Sequence, residues 1–433
     1  MGNTVRKLIW LYFWTIIFEG VFRKWLTPGL ANELLLIREP IVAACYFLAL
    51  SENRFPRERP VILAILLGIL AFVFSGILLS VPLAVSFFGL KASFFHIPMI
   101  YLIPRYFDRD DVLRMGKYIL LLAIPNAVLM VMQFGVSPDH WLNASAGGGA
   151  GQMEGAQGRI RAPGLFPFIT GSAQFIALAL SFTLFGLVSR EAYRRKLLYL
   201  VLGLLVISLV VSISRLAIGN AVVVTGMLGV IAVYSRSQKL RMFTSVAVPL
   251  LLVALVVSRF EVFDEGVEAF EQRLTRTGDI DVGFGGTALN WYQRTLNDLT
   301  AGLYLAAGKI SFTGEGLGMG TNVAARFITG DLGFLLAEGE WARLVLEMGP
   351  LLGLAMIGIR LAIVWFMLQL SLAAIQKGNF LPILLFGGSF LLVVNGQWGQ
   401  ATTQGFAILG AGLTLAATRI PDKAPLEGGR RRA

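Results

Sequence analysis

Three arginines and two glutamates stand where charged side chains are scarce. Arg161 sits in RIRAPGLFPF beside Arg159, Arg215 opens SISRLAIGN beside Ser212 and Ser214, and Arg294 follows Trp291 in a long polar interval. A guanidinium is a rigid fork of donors that matches phosphate oxygens. Three of them on one face of a membrane could clamp a diphosphate. Each taken alone is more often a structural or snorkelling residue. Glu338 and Glu340 occur together in AEGEW. A carboxylate at the edge of a membrane cavity can take the proton of a sugar hydroxyl. The plainer reading of Glu340 is an ion pair with Arg343, three residues on.

The elements that would hold these groups are apolar. Of 433 residues 56% are hydrophobic and 15% charged, well below the quarter charged that is usual in soluble domains. The long apolar runs place the chain in the membrane class. The first run contains Glu19 and no small-residue cleavage site follows it, so it reads as a span, not a signal peptide. A net charge of +11 is the mark of basic cytoplasmic loops, with no call for nucleic acid. His96 and His140, the two histidines, are too few for a histidine-built metal centre, and no cofactor is implied. Asp108–Asp110 and Asp279–Asp281 read as solvated loops. Cys45, being single, cannot close an intrachain disulfide.

Spans of about 20 apolar residues predict an all-α polytopic membrane protein with about 12 transmembrane helices. They begin near Leu8, Arg38, Pro60, Val81, Val112, Leu165, Lys196, Arg215, Leu240, Arg343, Phe380 and Gln400. With this count the bases at Arg6/Lys7, Arg54–Arg59, Arg105–Arg114, Arg190–Lys196, Arg236–Arg241, Lys377 and Arg430–Arg432 all fall on one side. The positive-inside rule makes that side the cytoplasm, with both termini there. Residues 1–258 then hold spans 1–9 with a Gly-rich outer loop at 137–163. Residues 259–342 form a large, mostly helical periplasmic loop, 343–420 carry spans 10–12, and 421–433 are a basic cytoplasmic tail.

The large loop carries six bases against 12 of the 26 acids. Val262–Arg273 and Leu289–Leu305 read as helices, broken at Gly283–Gly286. GEGLGMG at Gly314–Gly320 reads as a turn where backbones approach closely, and Phe327–Met348 as a helix leading into span 10. Ser145–Gly158 has no periodicity and reads as a flexible linker. Among the charges at membrane depth, Glu19 and Arg23 sit on one helix face, as an ion pair would. Lys91 either pairs with a buried acid or faces a polar cavity, and His96 reads as a core residue.

Several segments are similar to the bacterial O-antigen polymerase and O-antigen ligase superfamily of membrane glycosyltransferases. They are RAPGLF before span 6, SISRLAIG at span 8, RTLNDLTAG followed by FTGEGLGMG, and EGEWARLVLEMGPLLGL. The resemblance runs most clearly from Arg161 to Leu354. It implies a polymerase-type transfer of a polyprenyl-diphosphate-linked saccharide to an acceptor sugar hydroxyl on the periplasmic face of the inner membrane. The transfer would be metal-independent and inverting, in O-antigen or exopolysaccharide synthesis. Arg161, Arg215 and Arg294 would hold the diphosphate of an undecaprenyl-type carrier, and Glu338 or Glu340 would act as base. An acceptor glycan, the bilayer, and a chain-length regulator or flippase are the implied partners. The ligase branch has a histidine near the end of the large loop, where this chain reads AEGEW, so polymerase fits better than ligase. The rivals are a flippase or transporter for a lipid-linked saccharide, with charges at the midplane near broken helices, and a non-catalytic assembly subunit.

Overall fold

The computed structural model describes residues 2–147, 152, 154–156, 158–189, 192–234, 239–275, 297, 299–300, 302–304, 313–330 and 335–419. Its helices are α1 Gly2–Val21, α2 Glu39–Ser51, α3 Arg59–Val73, α4 Leu83–Leu90, α5 Ile97–Tyr106 and α6 Arg109–Gly135. They continue with α7 Ile169–Val188, α8 Arg195–Val211, α9 Arg215–Tyr234, α10 Lys239–Val257 and α11 Glu261–Thr275. The last four are α12 Asn322–Thr329, α13 Glu340–Gln376, α14 Leu381–Asn395 and α15 Ala401–Ala417.

A helix occupies each of the twelve positions expected for a span. Length and apolarity qualify six stretches as membrane-crossing, or up to eight if two bent pairs each count as one. The helices α14 and α15 are apolar but short. Six to eight spans is therefore what the geometry establishes. The α4 pair bends by 42° into α5 across a π-helical turn, Lys91–Phe95.

At the bundle's centre is α7, buried over 94% of its apolar window and packed among α6, α8, α9, α14 and α15. A helix that is apolar all round has no solvent face to offer and takes the middle.

One end of the bundle gathers the loops predicted to be cofacial. Arg6 Nε donates to Tyr106 O at 3.1 Å and lies 3.1 Å from Asp111. Tyr106 donates to Glu52, and Arg105 reaches Glu58 at 2.7 Å. Tyr193 donates to Leu113 O and Asn379 to Ala417 O. Here Asp108 and Asp111 form a capping box that starts α6, and Asp108 and Asp110 are exposed, as expected of a solvated loop.

The opposite end holds the site. Two expectations change there. The Gly-rich loop is partly folded: β1 Glu154–Ala156 pairs antiparallel with β2 Arg159–Ile160, turning through Gly158 at φ 68°. A two-rung hairpin is too short to leave a periodic pattern in the sequence. The second difference is at span 10, which does not continue from a straight approach helix. Gly349 (φ 75°, ψ 168°) breaks α13 ahead of Pro350, and such a backbone is open only to glycine. The arm before the break folds back on the arm after it. A Cβ on Gly353 would meet Val345 Cα at 2.7 Å, and Arg360 reaches Glu340 across twenty positions. Between α12 and α13 the chain is non-helical at the described positions 335–339, so the continuous helix expected from Phe327 is interrupted.

GEGLGMG does bring backbones together. Glu315 and Gly316 donate to Leu346 O and Glu347 O, each at 2.9 Å, which caps carbonyls freed by the Gly349 break. On the loop's other side a Cβ on Gly89 of α4 would meet Leu317 C at 2.7 Å. The loop is thus a wedge between α4 and α13. Helix α11 forms as expected and packs on α8 and β1. The Leu289–Leu305 helix lies mostly outside the described residues, as do Arg294, Gly283–Gly286, Asp279–Asp281 and the 421–433 tail.

Candidate functional site: an arginine pair and a polar cavity

Arg161 leaves β2 on the way to α7, and Arg215 is the first residue of α9. The turn before Arg215 is tight. Ile213 has φ 44°, an uncommon conformation for a β-branched residue, and the Ser212 and Ser214 hydroxyls accept from the backbone N–H groups of Ser214 and Ala217. The hairpin presses on this turn: a Cβ on Gly155 would meet Ile213 Cδ1 at 2.7 Å. Hairpin and turn therefore fix both arginines from opposite sides.

Both arginines are half-buried. Arg161 Nε is buried without a hydrogen-bond partner. Burial, and then the neighbouring positive charge of Arg215, hold the Arg161 guanidinium below its ordinary value. Among the described residues no carboxylate pairs with either one. Their neighbour Arg159 is different, since it reaches Glu265 of α11 at 3.0 Å and lies over Phe134. Two like charges held together without an acid are an unfavourable arrangement that a bound anion would relieve.

Glu340 lies elsewhere in kind. It is 2% exposed. Arg343 gives it two hydrogen bonds, at 2.9 and 2.8 Å, and Arg360 a third at 2.6 Å. Arg343 also holds Glu347 at 2.8 Å, and Glu347 accepts the Gly320 N–H at 2.9 Å. Arg360 lies 3.8 Å over the Trp398 ring. Two acids and two bases make a closed, neutral network that pins the folded-back arm to α13 and to the wedge. Glu340 therefore makes the expected ion pair with Arg343, and its carboxylate is buried. Glu338 is exposed, and its carbonyl accepts from Gln397 at 2.7 Å. Gln397 in turn accepts from Gln400 at 2.6 Å.

Gln400 lines a cavity of about 780 Å³, of the size that holds a small ligand. Its wall is drawn from the ends of α1, α7, α12 and α15 and from the residue 28–35 turn. Arg23 and Arg326 line it, with Asn32, Thr170 and Thr402 among the polar groups and Phe88, Phe168 and Phe327 among the apolar ones. Leu35 and Phe88 also line a narrow neck of about 20 Å³ that reaches Lys91 and Trp398. Lys91 Nζ is 2.9 Å from Glu39 and donates to Leu35 O, so it both pairs with a buried acid and borders the polar space. Arg23 pairs with Glu19 at 2.9 Å, as expected. His96 is a core residue whose Nδ1 lies 3.2 Å from the Tyr12 hydroxyl.

A third, apolar recess of about 460 Å³ lies between α8 and α10, bounded by Tyr199, Ile207, Val256 and Phe260. It runs along the bundle wall toward the end where Arg215 sits.

Sequence reasoning did not single out Arg360 or Arg38. Arg38 is fully buried, 3.6 Å from Glu19. Arg360 had a signal, a lone base inside the apolar run IGIRLAIV. No group of three or more potential metal ligands occurs among the described residues. No protein-family model matches the chain, and no curated protein matches it.

Proposed function

We propose that the chain is a membrane glycosyltransferase of the polysaccharide polymerase type, the class its sequence resembles. It would move a saccharide from a polyprenyl diphosphate to a hydroxyl of an acceptor glycan. The observation that carries this reading is the pair Arg161 and Arg215, whose positive charges act on each other with no carboxylate paired to either among the described residues, at the end of the bundle that contains the 780 Å³ cavity. The acceptor oxygen attacks the anomeric carbon, the bond from that carbon to the diphosphate breaks, and the diphosphate leaves with the bonding electrons. Fixed guanidiniums stabilise the charge that grows on it. Single displacement inverts the anomeric centre. Of the two glutamates Glu338 suits the base role, since it is exposed and its main chain is tied through Gln397 to Gln400 of the cavity wall. The α8–α10 recess suits the carrier's prenyl tail. Arg294 completes the proposed clamp.

A second reading, a flippase for the same lipid-linked saccharide, is favoured by one specific observation. Buried ion pairs adjoin interrupted helices at Lys91–Phe95 and at Gly349, a pattern of transport proteins.

Complementation of a strain lacking the gene separates the two. Arg161→Ala, Arg215→Ala and Arg294→Ala are expected to abolish long surface polymer at normal membrane abundance, with single repeat units accumulating on the outer face. Repeat units trapped on the inner face would favour the flippase. Unchanged polymer from all three variants would sink the clamp.

A further inference from the structure

The cavity and the arginine pair are separate features, and the proposed clamp leaves the cavity's own chemistry unassigned. Among the described residues its lining contains two arginines and no acid. The neck adds Lys91 and, among the described residues, again no acid. The acids nearby stand behind the bases: Glu19 is 1% exposed behind Arg23, and Glu39 pairs with Lys91. The remaining polar wall is amide and hydroxyl, from Gln400, Thr402 and Thr170, with Phe168 as a flat apolar face.

We infer that this cavity is a subsite for an acidic saccharide, one bearing a carboxylate, and that Arg23 and Arg326 read the acid. Guanidiniums suit the carboxylate, amides and hydroxyls suit the ring hydroxyls, and the phenyl face suits the C–H side of a sugar ring. Arg326 donates through Nη1 to Asn32 Oδ1 at 2.9 Å. Arg23 uses Nη1 for Glu19 and Nε for Ala31 O. Neither Nη2 has a protein partner among the described residues, so each side chain keeps donors in reserve. The two arginines reach the cavity from α12 and from the end of α1, which gives a carboxylate a two-sided grip. The identity of the sugar rests on the glycosyltransferase reading, whereas the preference for an acid rests on the lining alone.

The test uses the full chain in detergent and measures the affinity of trigalacturonate and of maltotriose at low and physiological salt. The acidic sugar is expected to bind at least roughly tenfold more tightly, the increment of one charge-assisted hydrogen bond. Its affinity should fall with salt. Arg326→Gln, at an exposed position, should remove most of that advantage, and Arg326→Lys should restore part of it. Equal affinity for both sugars, binding of neither, or indifference to Arg326→Gln would overturn the subsite. Equal affinity would leave glycosyl transfer standing. Normal polymer from the Arg161 and Arg215 variants would remove the transferase reading and leave an acid-selective cavity in place.

Discussion

Arg343 and Arg360 are fully buried among carboxylates, with every charge answered by an opposite one. Arg161 and Arg215 are half-buried, feel each other's charge, and are without an acid among the described residues. Both groups of arginines are near the same end of the bundle, and sequence position alone does not rank them. The difference is in what removal leaves behind. Take a partner from the closed network and an uncompensated charge remains in a dry interior. Take one arginine from the open pair and a repulsion disappears. A closed network holds a fold; an open one leaves positive charge uncompensated.

The sharpest way to break this contrast is Glu340→Gln, which leaves Arg343 and Arg360 underneutralised. Breaking a buried pair costs about 3–5 kcal/mol, so membrane abundance and the melting temperature in detergent should both drop steeply. A Glu340→Gln protein that melts like the parent yet makes no polymer would return Glu340 to the role of base. Next comes Gly349→Ala. Its strained backbone should cost on the order of 1–3 kcal/mol and lower the melting temperature with no change in charge. A melting temperature equal to the parent's would mean that the arm does not depend on the break. Third is Arg161→Ala, expected to shift unfolding by less than about 1 kcal/mol while removing a ligand effect. Inorganic pyrophosphate should raise the melting temperature of the parent and not of the variant. Equal stabilisation of both would place the anion elsewhere. The smallest effect belongs to the far end. Arg105→Ala breaks a partly exposed pair with Glu58 and should cost at most about 1 kcal/mol, read as a small change in melting temperature that salt abolishes.

Much of the scaffold was legible because apolar runs about as long as a bilayer is thick announce themselves. The meeting of the loops around Arg6 and Arg105 at one end was expected too and is seen, although six to eight helices, not 12, qualify as spans by length and apolarity. GEGLGMG was readable because alternating glycines leave backbones bare. The reversal at Gly349 was hidden by the apolar residues on both sides of it, although Gly349–Pro350 is a breaker signal in plain view. The fate of Glu340 depended on Arg360, twenty positions away and adjacent only because the chain reverses. The cavity is assembled from the ends of four helices far apart in sequence. No local pattern encodes such a meeting, and Arg23 and Arg326 carry no mark that they share a wall.

The wedge at Gly314–Gly320 also bears on how the molecule is built. Its seat on α4, at Gly89, is synthesised more than two hundred residues before the segment that fills it, and its seat on α13 follows later still. During translation the early helices must wait in the bilayer with that groove unfilled, covered by lipid or by insertion machinery. Nascent chains halted short of residue 314 should therefore crosslink to lipid from position 89, and chains extended past residue 376 should not.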